Sequence, residues 1–160
     1  MKNKGFTLIE LVVVIVVLSI LAVTAAPKFL NIQSEARVAT LSGAKGALQG
    51  ANAIIFGKAA IEGIEKGHAE INIEGESVNL IDGLPIARLS SLDAVWNSDL
   101  YGYDSEDGIS VVYGLKENNY QETIDGGCYL LAENEAYSSV PEDDEPLYTS
   151  MKLFLAIDGC

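Results

Sequence analysis

Three regimes of hydrophobic and polar spacing follow one another along the chain. Residues 1–5, Met-Lys-Asn-Lys-Gly, are short and basic, and they run straight into Phe6–Ala26, an apolar stretch of 21 residues that carries a single acid, Glu10. As a helix rising about 1.5 Å per residue this stretch covers roughly 30 Å, the hydrocarbon thickness of a bilayer. Beyond it Phe29, Ile32, Ala36, Ala39, Leu41, Ala44, Leu48, Ala51 and Ile55 recur mostly at intervals of three and four. That spacing predicts an apolar stripe on a helix ending near Gly57 or slightly later, so that span and stem form one long helix. Pro27 lies inside it, lacks a backbone donor and crowds the carbonyl four residues back, which predicts a bend or a weakened turn. Gly43, Gly46 and Gly50 each cost roughly 0.8–1.0 kcal/mol relative to alanine in a helix. With Ala44, Ala47, Ala51 and Ala53 they are expected to make a low-relief surface that a sheet or another helix approaches closely.

From residue 61 the period shortens to two. Ala69, Ile71 and Ile73 alternate with polar neighbours, Glu74-Gly75-Glu76 supplies a turn, and Val78 and Leu80 alternate again, predicting a hairpin. A helical turn is expected at Ser90–Trp96, and strands at Ile109–Leu115, Cys128–Ala132 and Thr149–Ile157, separated by Asn118-Asn119, Gly126-Gly127 and the acidic Pro141–Pro146 segment. The predicted class is α+β: a long N-terminal helix carrying an antiparallel sheet. The expected organisation is 1–5 leader, 6–26 membrane-spanning or core helix, 27–60 amphipathic half of that helix, and 61–160 β-rich head.

Charge separates the same regions. The chain of 160 residues has a formal charge of −13. Residues 1–60 hold Lys2, Lys4, Lys28, Arg37, Lys45 and Lys58 against Glu10 and Glu35, whereas residues 61–160 hold 21 acids against Lys66, Arg88, Lys116 and Lys152. A head this acidic argues against binding nucleic acid or an anionic membrane, both of which demand positive charge. Lys28, Arg37 and Lys45 are candidates to meet acids of neighbouring copies.

Glu10 is the informative anomaly. An ionised carboxylate inside an apolar span costs on the order of 2.5–3.5 kcal/mol. Lys2 and Lys4 keep the leader cytoplasmic by the positive-inside tendency. A cut after Gly5 would give Phe6 a free amino group, a cation able to pair with Glu10 of an adjacent copy. Two plainer readings compete. An ordinary secretory signal would have to be cut near Val23–Ala26, where Pro27 crowds the site. An uncleaved single-span anchor leaves Glu10 unexplained.

Lys4-Gly-Phe-Thr-Leu-Ile-Glu10 followed by an apolar run resembles the type III signal of type IV prepilins and pseudopilins. Val12 to Leu30, with the later Gly and Ala spacing and two late cysteines, is similar to major pilins of the mannose-sensitive haemagglutinin (MSHA) type, closely over the first 60 residues and loosely beyond. The resemblance implies a prepilin peptidase that cuts after Gly5 and methylates Phe6, docking through Glu10, and an extensible segment from Ala22 to Pro27 that loses helicity inside a filament.

Cys128 and Cys160 are the two cysteines of the chain. In the oxidising compartment beyond a membrane such a pair is expected to bridge, and closing just over 30 residues stabilises by roughly 3.5 kcal/mol in the chain-entropy model. The resemblance adds that pilins delimit a surface loop this way. No catalytic constellation is expected, nor any cofactor: His68 reads as a solvated residue at a strand start. Asp104-Ser-Glu-Asp107 and Glu142-Asp-Asp-Glu145 lack the register of a Ca²⁺ loop, so no metal is expected. The seven tyrosines read as half-buried strand residues rather than an adhesive sugar-stacking surface.

The resulting expectation is a non-enzymatic homo-oligomer: the major subunit of a surface filament for adhesion and colonisation, dependent on prepilin peptidase and an inner-membrane assembly machinery. It is held in the inner membrane before assembly, carried on the bacterial cell surface afterwards, and presented to a surface or glycan receptor. A type II secretion pseudopilin and a monomeric membrane-anchored binding module are the alternatives.

Overall fold

The computed structural model describes residues 5–106, 108–136 and 148–160. Its class is α+β: helix α1 (Leu8–Glu62) precedes two antiparallel sheets. The chain divides into two compact units, Met1–Ala36 and Arg37–Cys160. In the first unit α1 continues through Pro27 without interruption. The whole apolar stretch from Phe6 to Ala26 is exposed, as are Phe29 and Ile32. Its two hydroxyl side chains past Glu10 are satisfied within the helix: Ser19 donates to the Ile15 carbonyl at 2.6 Å and Thr24 to the Leu21 carbonyl at 2.9 Å. Such internal pairing leaves few polar groups in need of water, which suits a helix destined for apolar surroundings.

In the second unit, the remaining turns of α1 pack on the head through Leu41, Leu48, Ile55 and Ala59, all buried. The seven-residue steps from 41 to 48 to 55 keep these side chains on one face. The stripe is therefore shorter at its start than the spacing predicted, because Ala36 and Ala39 are exposed, while the helix ends slightly beyond Gly57, at Glu62, as expected. Of the two neighbours expected at the glycines, a sheet or another helix, the sheet is absent. A Cβ added to Gly43, Gly46 or Gly50 would meet nothing within 4 Å, so neither sheet lies against them. Gly43 and Gly50 follow Leu41 and Leu48 by two residues, about 200° around the helix, and so point away from the core.

Two sheets stand where one was expected. The first has the order β1-β2-β3, from His68–Ile73, Glu76–Ile81 and Leu84–Pro85. Its hairpins turn at Glu74-Gly75 and Asp82-Gly83, with φ values of 52° and 99°, then 48° and 76°. Two successive positive-φ residues make the turn that matches strand twist, and glycine at the second position avoids the steric penalty. Ile71, Val78 and Leu80 of this sheet close over Ile55 and Ala59.

The second sheet has the order β4-β5-β6-β7, from Tyr101–Asp104, Ser110–Gly114, Tyr129–Ala136 and Tyr148–Ala156. Val111, Tyr113, Leu130 and Ala132 pack with Leu41 and Leu48 and with Leu92 and Trp96, the latter from or beside α2 (Leu89–Val95). Each fully buried leucine here contributes about 1.5–3 kcal/mol. β5 is buried on both sides because α3 (Tyr120–Asp125) covers the other face, with Thr123 against Gly114 and the Tyr120 hydroxyl 3.1 Å from that of Ser110. Asn119, expected to be a mere separator, caps this helix by accepting from the Glu122 amide at 2.9 Å.

Tyr113 is fully buried, edge-on to Trp96 at 5.1 Å, and its hydroxyl reaches Asp93 Oδ1 at 3.4 Å. Partial desolvation raises the Asp93 carboxyl above its ordinary value although the residue as a whole is exposed, the Tyr113 hydrogen bond partly offsets this, and the charge of Asp104 adds to the rise. A raised folded-state value means that this side chain favours the fold fully at acid pH and loses that contribution as pH climbs through its folded pKa. Asp93→Asn is therefore expected to raise the melting temperature at pH 7 and to leave it unchanged near pH 3.5, checked by thermal scans of the full chain in detergent.

Candidate assembly and surface sites

Gly5 and Phe6 lie outside the helix, and Thr7 starts it. The Thr7 carbonyl accepts from the Leu11 amide at 3.3 Å, as an N-cap residue does. Its side chain and that of Glu10 then bind reciprocally. The Glu10 amide donates to Thr7 Oγ1 at 3.3 Å, while Glu10 Oε2 accepts from the Thr7 amide at 2.9 Å and from the Thr7 hydroxyl at 2.8 Å. This is a capping box, two side chains satisfying donors that a helix start leaves open.

The arrangement gives Glu10 hydrogen-bond partners within its own chain, beside the cationic partner expected from a neighbouring copy. One carboxylate oxygen is already doubly satisfied, because a side chain at the third helical position folds back onto the cap. The signal was present as Thr-x-x-Glu before an apolar run. Phe6 itself is 90% exposed. The two residues of the expected cleavage site are thus both accessible and non-helical, with the acid one turn inside.

In the second unit, Cys128 and Cys160 form a disulfide that encloses β6 and β7. Backbone packs tightly at this closure: the Gly159 amide donates to the Gly127 carbonyl at 2.9 Å, and a Cβ on Gly159 would stand 1.8 Å from the Gly126 carbonyl oxygen. Only glycine fits there. Arg37 donates to the Cys160 carbonyl at 3.3 Å, and Lys58 donates to the Asn72 carbonyl at 2.8 Å. Two cations of the stem therefore already serve the chain's own head, which narrows the candidates for meeting neighbouring acids to Lys28 and Lys45.

The remaining sequence candidates disperse. His68 is exposed at the first position of β1, opposite Ile81. It borders an open groove of about 710 Å³ shared with Glu70, Asn79, Arg88 and Ser90. Asp104 accepts from the Leu89 amide at 2.8 Å and so serves the start of α2. Asp107 and Glu142–Glu145 lie outside the described residues, as does Tyr137. Tyr103, Tyr120 and Tyr129 are half-buried as expected, whereas Tyr101 is exposed and Tyr113 fully buried.

Residues 1–26 match the family model of the prokaryotic N-terminal methylation motif. The chain is 43% identical over 54 residues to the type IV narrow pilus major component of Thermus thermophilus, a stretch covering 34% of this chain and 47% of that protein. It thus spans about half the length of the curated relative it matches. No solved structure matches the chain significantly.

Proposed function

We propose that the chain is a type IV pilin: the major structural subunit of a surface filament, of MSHA-like type, used for adhesion and surface colonisation. The observation that carries the reading is the coincidence, in residues 1–26, of the methylation motif with a fully exposed apolar helix whose acid sits one turn inside. An apolar surface this large needs either lipid or other helices to cover it. Burying the Phe6–Ala26 helices of many copies together replaces the first by the second.

In this account residues 1–5 are a leader, prepilin peptidase cuts between Gly5 and Phe6, and Phe6 is N-methylated. The Phe6 ammonium of one copy then pairs with the Glu10 carboxylate of the next. Residues 6–26 anchor the precursor in the inner membrane and afterwards form the filament core, with Ala22–Pro27 as its extensible stretch. The remainder of α1 carries the head, which faces solvent on the bacterial surface and bears the receptor contact. The disulfide between Cys128 and Cys160 suits that exposure, since it holds the last strand of an extracellular head in place.

Mechanical shearing of cells tests the reading. Released fibres are expected to consist mainly of this chain. Recovery of the chain only from the membrane fraction, while secretion of folded exoproteins depends on it, would favour the pseudopilin alternative instead.

A further inference from the structure

Glu10 is held by one of its two oxygens. Oε2 takes both donors of Thr7, the amide at 2.9 Å and the hydroxyl at 2.8 Å, and Oε1 has no partner among the described residues. Every atom of this box lies C-terminal to the Gly5–Phe6 bond, so removal of the leader leaves it intact. From this geometry we infer that Thr7 is a positioning residue for subunit docking: its hydroxyl fixes the Glu10 carboxylate through Oε2 and leaves Oε1 as the acceptor for the terminal ammonium of a neighbouring copy.

Thr7 affects both the cost of the buried charge and its orientation. A carboxylate entering an apolar medium with neither oxygen paired is strongly disfavoured, and hydrogen bonds to a charged acceptor are the strong ones. Thr7 supplies two without involving another molecule, which lowers the cost of keeping Glu10 ionised while the subunit waits. The second effect is orientation. A free glutamate samples several rotamers, whereas one tied to the helix start presents its remaining oxygen in a fixed direction, so less freedom is lost on docking. Thr7 thus acts before the neighbour arrives, and it does so without itself contacting that neighbour.

The inference rests on the docking role proposed for Glu10, and the test separates the two. Four full-length chains are expressed in the native host: wild type, Thr7→Val, Thr7→Ser and Glu10→Ala. Valine keeps the branched shape and removes the hydroxyl; serine keeps the hydroxyl. Sheared filament yield is expected to fall roughly tenfold for Thr7→Val, the effect of losing one hydrogen bond to a charged group. Thr7→Ser is expected to stay within about twofold of wild type. The Thr7 amide of the wild-type chain in detergent micelles is expected to exchange slowly with solvent deuterium, and that protection to vanish in Glu10→Ala. Wild-type yield from Thr7→Val beside a defective Glu10→Ala would overturn this inference and leave the proposed function standing. A Thr7→Ser defect equal to that of Thr7→Val, or an unprotected Thr7 amide in the wild-type chain, would overturn it as well. Full yield from Glu10→Ala would remove the docking role itself.

Discussion

Glu10→Ala is expected to abolish filament assembly while leaving removal of residues 1–5 intact. In the proposed assembly, the Phe6 ammonium left by processing would be a second charge in the apolar core, and deleting its partner would leave it there uncompensated. Removing one member of a buried ion pair typically costs about 3–5 kcal/mol, which lowers each docking equilibrium by a hundredfold or more. The loss would compound in a polymer in which every subunit makes the proposed contact. Filament yield after shearing, and the mass of the membrane-bound chain, check the two halves of this expectation. The mutation also removes the acidic half of the capping box, leaving the Thr7 amide without its acceptor. Losing such a helix start costs about 1 kcal/mol, too little to account for a complete loss of assembly. Effects of that smaller size would point to helix fraying rather than to an ion pair.

Opening the disulfide is expected to have the second largest effect, and on the head rather than on the helix core. Cys128 and Cys160 are 32 residues apart in sequence, and closing such a loop stabilises by roughly 3.5 kcal/mol. The bridge matters to the last strand, β7, because that strand lies at the edge of the sheet and pairs with β6 alone. The double variant Cys128→Ser/Cys160→Ser is therefore expected to melt at least 10 °C lower, since about 1 kcal/mol shifts a domain of this size by a few degrees. Differential scanning calorimetry of the full chain in detergent, with and without reductant, measures it. The contacts beside the bridge predict where the damage starts: Gly159 rests on Gly127, and Arg37 holds the Cys160 carbonyl, so the end of the chain and the adjoining stem should loosen together.

Much of the architecture is legible from periodicity alone. The strict alternation around Glu74-Gly75 marks β1 and β2, and the late apolar runs mark β5, β6 and β7, because a half-buried strand has to repeat every second residue. The features that escape are those whose signals are local turn and cap chemistry rather than periodicity. Asp82-Gly83 is a two-residue hairpin turn followed by only two strand residues, too few to alternate visibly. Asn119 is a cap before six helical residues, a length at which an apolar stripe cannot be read. Tyr101–Asp104 contains one glycine, placed where a Cβ would be 2.3 Å from Leu89 and 2.8 Å from Tyr113; the strand is chosen by that packing and not by its own propensity.

The candidate site divides in the same way. Glu10 stands out because an acid in an apolar run contradicts the composition around it, and Gly5 and Phe6 are picked out by the resemblance of Lys4 to Glu10 to a prepilin signal. Thr7 passes unnoticed because a hydroxyl residue in such a run is unremarkable until its geometry is seen. The small residues at 43, 46 and 50 are conspicuous in sequence, yet the direction they face depends on which side of α1 the head covers, and that is fixed by Leu41, Leu48 and Ile55. The groove at His68 and Arg88 has no comparable signature, being lined by a mixture of polar side chains and the aliphatic Leu80, Ile81 and Ile86.

In the proposed filament a processed amino terminus becomes the counter-ion of a neighbour's Glu10. Intact mass spectrometry of the chain released in sheared fibres measures this most directly. The expected mass begins at Phe6, carries one added methyl group, and lacks two hydrogens for the Cys128–Cys160 bond. A fibre subunit that still contains Met1 would have no ammonium at Phe6 to offer, and would contradict the assembly mechanism outright.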